Sequence, residues 1–138
     1  MMNMSDIENM VKMLADAPEE QRKKMITERL KMIASQPEEQ RIKSIAGIVL
    51  ATSKLKKKKM ADFINTRTVA MTELPPEEGK ALMVARVKAG KTLPEDVNMK
   101  DMKLIHQATL DWPEQKREMF SKKLQAVFDE LGMSVPAM

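Results

Sequence analysis

Cysteine and tyrosine are missing altogether, and the chain holds one histidine, one tryptophan and three phenylalanines. The first absence excludes disulfides, iron–sulfur clusters, thiolate zinc sites and thiol nucleophiles. With one histidine and neither tyrosine nor cysteine, proton transfer would fall to carboxylates, lysines or His106. The longest apolar run, Ile45 to Ala51, is far too short for the ~20 residues that span a bilayer, so no transmembrane segment is expected. Nor does the N-terminal Met1-Met-Asn-Met-Ser-Asp segment place a basic stretch before an apolar one, and the expected compartment is the cytoplasm. The few aromatics, Phe63, Trp112, Phe120 and Phe128, fall on core-type positions, which argues against stacking on unpaired bases.

What the chain does have is a repeat. Asp16-Ala-Pro-Glu, Ser35-Gln-Pro-Glu, Thr92-Leu-Pro-Glu and Asp111-Trp-Pro-Glu lie on one lattice of 19 residues, and Pro75 fills a further proline slot. Proline is tolerated in a first helical turn, and Ser, Thr or Asp followed by Glu reads as a capping box, so each tetrapeptide is expected to start a helix through side-chain caps. Units then run over 16–34, 35–53, 54–72, 73–91, 92–110 and 111–129, after a lead-in helix at about 5–15 and before a flexible tail at 133–138.

Apolar residues recur near the tenth, fourteenth and seventeenth positions of each unit, the spacing of one helical face. Leu74, Leu93 and Trp112, each just before a proline, are placed to pack back on their own helices. Turns of three or four residues make successive helices antiparallel. The predicted fold is all-α: six antiparallel helices on the repeat plus a short N-terminal helix, in one domain over 1–138, as a short solenoid-like array or a compact bundle. Paired helices of this size resemble the α-solenoid repeats of the HEAT and tetratricopeptide class, although the residues carry no signature specific to either.

The third unit breaks the pattern. Its start is Lys54-Leu-Lys-Lys-Lys-Lys59, basic where the helix dipole favours acid. One long helix over about 37–73 is an alternative, but the lattice favours a break near Thr52-Ser53. Residues 54–91 carry 10 positive and 4 negative side chains, which accounts for the whole positive excess of the chain. Such concentration points to an anionic partner. The candidate partner-binding residues are Lys54, Lys56, Lys57, Lys58 and Lys59, joined by Lys80, Lys88 and Lys91 where the partner is a nucleic-acid backbone, with Arg67 and Arg86 as weaker candidates; those two arginines share a column with Arg29, and the alternative to partner binding is that they lay their stems over the helix packing.

No motif of catalysis accompanies the repeat. His106 occupies the column of Leu30, Val49 and Val87 and is expected to be partly buried; one histidine makes no usual metal site. The acid pairs Glu19/Glu20, Glu38/Glu39, Glu77/Glu78 and Glu95/Asp96 all sit in first turns, where the dipole explains them. Ala89-Gly-Lys-Thr92 lacks the upstream glycine of a phosphate loop, so Gly90 reads as a helix C-cap and Gly47 as a point of close helix packing. Of the 15 methionines, Met10 and Met13 share a face with Ile7 and Leu14, expected to dock the lead-in helix on its own array.

The expected function is that of a non-enzymatic interaction or accessory protein without cofactor or metal, docking on an acidic protein through its basic centre. The alternatives are a nucleic-acid-associated protein contacting the phosphate backbone, and a ligand-binding or catalytic bundle with a pocket near His106. Exposed end faces also make a homodimer through one end an expectation.

Overall fold

A computed structural model describes residues 3–136. Its helices are α1 (Met4–Asp16), α2 (Glu19–Ala34), α3 (Glu38–Ser53), α4 (Lys57–Thr72), α5 (Pro76–Gly90), α6 (Glu95–Leu110) and α7 (Glu114–Glu130). From α3 onward every helix starts 19 residues after its predecessor. The fold is all-helical, and α3 does end at Ser53, excluding one long helix through the lysine run.

The starts obey the lattice for a reason other than side-chain capping. Pro18, Pro37, Pro75, Pro94 and Pro113 are themselves the N-cap residues, extended at φ between −57° and −52°, and none of these helices receives a side-chain cap bond. Proline brings the required φ and has no amide hydrogen to satisfy. The Ser35 and Thr92 hydroxyls, expected to cap the next helix, instead donate backward to the Met32 and Ala89 carbonyls at 2.6 and 2.8 Å. Asp16 pairs with Lys59 at 3.3 Å. Among the described residues, a side-chain N-cap forms at α1, where the Asp6 amide donates to Asn3 Oδ1 at 2.9 Å.

In the units that begin at 16, 35 and 111, an arginine at the seventh position closes the turn from the other side. The Arg22 guanidinium donates to the Ala15 and Ala17 carbonyls at 3.2 and 3.0 Å, Arg41 to the Gln36 carbonyl at 2.9 Å and Arg117 to the Leu110 carbonyl at 3.3 Å. A cation is thus supplied to the negative end of the preceding helix, from the repeated Pro-Glu-Glu-Gln-Arg and its degenerate copy at 113–117.

Each helix packs most closely on the helix two before it, which arranges α1, α3, α5 and α7 in one layer and α2, α4 and α6 in the other. The main core gathers Val11, Leu14, Ile26, Leu30, Ile45, Val49, Phe63, Leu82 and Leu93 from α1 to the α5–α6 turn. A smaller core of Met83, Val87, Phe120, Val127 and Phe128 lies under α7. Gly47 permits the close packing of α1 on α3, since a Cβ there would lie 3.1 Å from Ile7 Cδ1. Ile7, Met10 and Leu14 dock α1 as expected, whereas Met13 points outward at 56% exposure. Leu74 and Leu93 are buried in the main core. Trp112 is half-buried, edge-on to Phe120 with ring centroids 5.6 Å apart.

The stacking loosens at its C-terminal end. α7 touches α5 less than α5 touches α3, and α7 and α4, which the same stacking would bring together, hardly meet. Grooves consequently open on both flanks of α7. Gly132, at φ 66°, ends that helix in the left-handed conformation and turns the chain back. The Met133 amide then donates to the Phe128 carbonyl at 2.9 Å, and Met133 and Val135 pack against the smaller core. The part of the expected tail within the described residues is therefore held against α7; residues 137 and 138 lie outside them.

Candidate functional site

The basic centre divides into two kinds of lysine. Lys54 reaches Glu8 of α1 at 2.5 Å, Lys59 reaches Asp16, Lys80 reaches Glu130 of α7 at 3.2 Å and Lys88 reaches Glu38 of α3 at 2.6 Å. These four candidates tie neighbouring helices together. The Lys88 hydrogen bond and charge hold the Glu38 carboxyl below its ordinary range. Lys56, Lys57 and Lys58 are exposed and, like Lys91, carry no ion pair among the described residues.

Lys56 stands in the proline slot at φ −64° and ψ 151°, without a side-chain cap bond, and Lys57 and Lys58 open the first turn of α4. In α2, α3, α5, α6 and α7 that turn is acidic. Because the even helices run parallel in one layer, this basic start lies in a row between the acidic starts of α2 and α6. Three like charges at the positive end of a helix dipole are unfavourable for the isolated chain.

Arg67 and Arg86 prove to belong to the interior, because both bind Asp101. Arg67 Nη2 lies 2.8 Å from Asp101 Oδ2, and Arg86 approaches the same oxygen with Nη2 at 3.0 Å and Nε at 3.1 Å. Asp101 is 4% exposed and Arg67 8%, so Arg67 offers no charge to an outside partner, while the half-buried Arg86 lines a groove between α5, α6 and α7. Burial alone would push the Asp101 carboxyl up, but Arg67 and Arg86 together hold it below the usual carboxylate range. Burial also pulls the Arg86 guanidinium down, against the opposing pull of Asp101. Sequence reasoning missed Asp101, although its position carried a signal. It occupies the tenth column, where other units place Met25, Phe63, Leu82 and Phe120, and a carboxylate on an apolar stripe requires a cation.

His106 is exposed rather than partly buried. It lies on the wall of the larger groove, about 580 Å³, between α5, α6 and α7. Apolar side chains dominate that groove: Met102, Ile105, Phe120, Leu124 and Phe128 line it with Met133 and Val135, while Arg86, Asn98 and Glu118 are among its polar members. A groove of about 400 Å³ on the other flank of α7 is lined by Met71, Met83, Met119 and Lys123. Gly90 proves not to be a left-handed cap, since Lys91 caps α5 in a right-handed conformation. Instead it leaves room for Asn98, whose Oδ1 lies 2.8 Å from where a Cβ would stand.

Among the described residues no cluster of His, Cys, Asp or Glu is arranged to hold a metal ion, and no helix is long and apolar enough to cross a membrane. Comparison with known protein families, curated proteins and solved structures finds no match to this chain.

Proposed function

We propose that the chain is a non-enzymatic helical interaction protein that docks on the acidic surface of a partner protein through Lys56, Lys57 and Lys58. The supporting observation is the contrast within the basic segment. Lys54, Lys59, Lys80 and Lys88 are neutralised by neighbouring helices, while these three stand exposed at a helix start where the dipole opposes them. An anionic partner would relieve that repulsion, and its approach would be steered by charge and weakened by salt.

The test is affinity capture at low salt with the natural chain and with a Lys56→Gln/Lys57→Gln/Lys58→Gln variant, each with and without nuclease. A stoichiometric protein that survives nuclease and is lost from the variant is the expected result; equal capture by both chains would remove the lysines from the interface.

A nucleic-acid backbone is the second reading, supported by the coincidence at α4 of lysines with first-turn amides that no side chain caps. It predicts nuclease-sensitive capture and a log affinity that falls by roughly 0.9 per phosphate contact for each unit of log salt on duplex DNA.

A further inference from the structure

The groove between α5, α6 and α7 has a polar floor whose donors are not all used. Arg86 spends Nε on Asp101 and Nη2 on Asp101 and on the Asn98 carbonyl, the last at 3.4 Å. Its Nη1 meets no acceptor among the described residues. The Asn98 side-chain amide makes no hydrogen bond within them either, and its Oδ1 is covered and unpartnered. Both residues line the groove, one on α5 and one on α6, and the absence of a side chain at Gly90 gives the Asn98 amide its place.

Charge points the same way. Arg67 and Arg86 share a single carboxylate, Asp101, so the buried cluster beneath the groove keeps a net positive charge. Of the remaining titratable groups lining the groove, Lys91, Arg117 and His106 are basic and Glu118 is acidic. Two unclaimed N–H donors beside a positive cluster ask for an anionic acceptor with two oxygens, which a carboxylate supplies. Above them the walls are hydrocarbon and aromatic, and about 580 Å³ falls within the ~300–1,000 Å³ range of small-ligand sites.

We infer that this groove binds an apolar monocarboxylate of the fatty-acid class, with its head group on Arg86 Nη1 and the Asn98 amide and its chain along Ile105, Phe120 and Leu124. The site is separate from the lysines of α4 and stands whether or not those lysines dock a partner. Trp112, the only tryptophan of the chain, packs against the groove wall at Phe120 and serves as its reporter.

The experiment is a titration of the full chain with sodium decanoate, read by Trp112 fluorescence and by calorimetry, with 1-decanol as the uncharged control. Saturable one-to-one binding of decanoate is expected, with decanol at least about tenfold weaker, since a hydrogen bond to a charged group is worth roughly that factor or more. Asn98→Ala removes a side chain that bonds to nothing in the protein and should weaken decanoate about tenfold at unchanged helical content. Arg86→Lys keeps the charge beside Asp101 but loses the forked donor, and should weaken binding similarly. Absence of saturable binding, equal affinity for decanol, or undiminished binding by Asn98→Ala would each overturn the assignment.

Discussion

At the residue scale the cluster of Arg67, Asp101 and Arg86 carries the largest electrostatic stake. It joins α4, α5 and α6 through one carboxylate that the two arginines hold in its charged form despite burial. Asp101→Asn would leave two guanidinium groups facing a neutral amide in the interior. Breaking a buried pair in this manner costs about 3–5 kcal/mol, so the midpoint of urea unfolding should fall sharply. The pH dependence has a definite sign. A carboxyl whose folded pKa lies below its unfolded value of ~3.9 contributes its stability in full above that value, and the contribution is lost as pH falls through the lower, folded pKa. Acid titration of stability below about pH 4 should therefore be shallower in Asp101→Asn than in the natural chain. The two arginines were legible in the sequence as members of one column. Their partner was not, because Asp101 comes from a different unit and column and only the stacking of α6 on α4 brings it to them.

At the element scale the proline lattice was legible to the residue, and its chemistry was misread for a physical reason. Ser35 and Thr92 precede the true N-cap by two positions, so each closes the end of one helix rather than the start of the next. Lys56 tests this account, since it adopts the conformation of the prolines at the same position, and Met60 donates to its carbonyl at 2.8 Å as Arg41 does to that of Pro37 at 2.9 Å. Lys56→Pro should stabilise the fold by about 0.4–1 kcal/mol through a less flexible unfolded chain, measured by the denaturation midpoint. A loss of stability would show that the Lys56 amide hydrogen or the Leu55 backbone has a role that the other units lack. The triple glutamine variant should also melt no lower than the natural chain, because each lysine removed relieves a repulsion of about 0.3 kcal/mol or more at the dipole. Lost docking in a chain that is at least as stable would separate recognition from folding.

At the scale of the whole molecule, a stack in which each helix covers the one two before it leaves its last two members without successors. The fifteenth column shows the consequence: Leu30, Val49, Thr68 and Val87 are buried, whereas His106 and Gln125 are exposed. A column read along the sequence gives every unit the same interior, and it holds no record of where cover runs out, so the exposure of His106 and both grooves beside α7 were hidden from sequence reasoning. The same deficit governs dynamics. α7 rests on the smaller core and has Met119 exposed at 59%, whereas α3 and α5 are packed on both sides within their layer. Local opening free energies follow such differences in packing, so native-state hydrogen exchange should show the α7 amides opening well below the global unfolding free energy that protects α3, α4 and α5. If α7 exchanged only with global unfolding, the loosened end would be as firmly held as the centre. Occupancy of the groove adds a second arm to the measurement. A ligand at 100 times its dissociation constant stabilises the bound form by about 2.7 kcal/mol, so decanoate at that excess should slow α7 exchange roughly a hundredfold while leaving α1 and α2 almost unchanged, because its site is built from α5, α6 and α7.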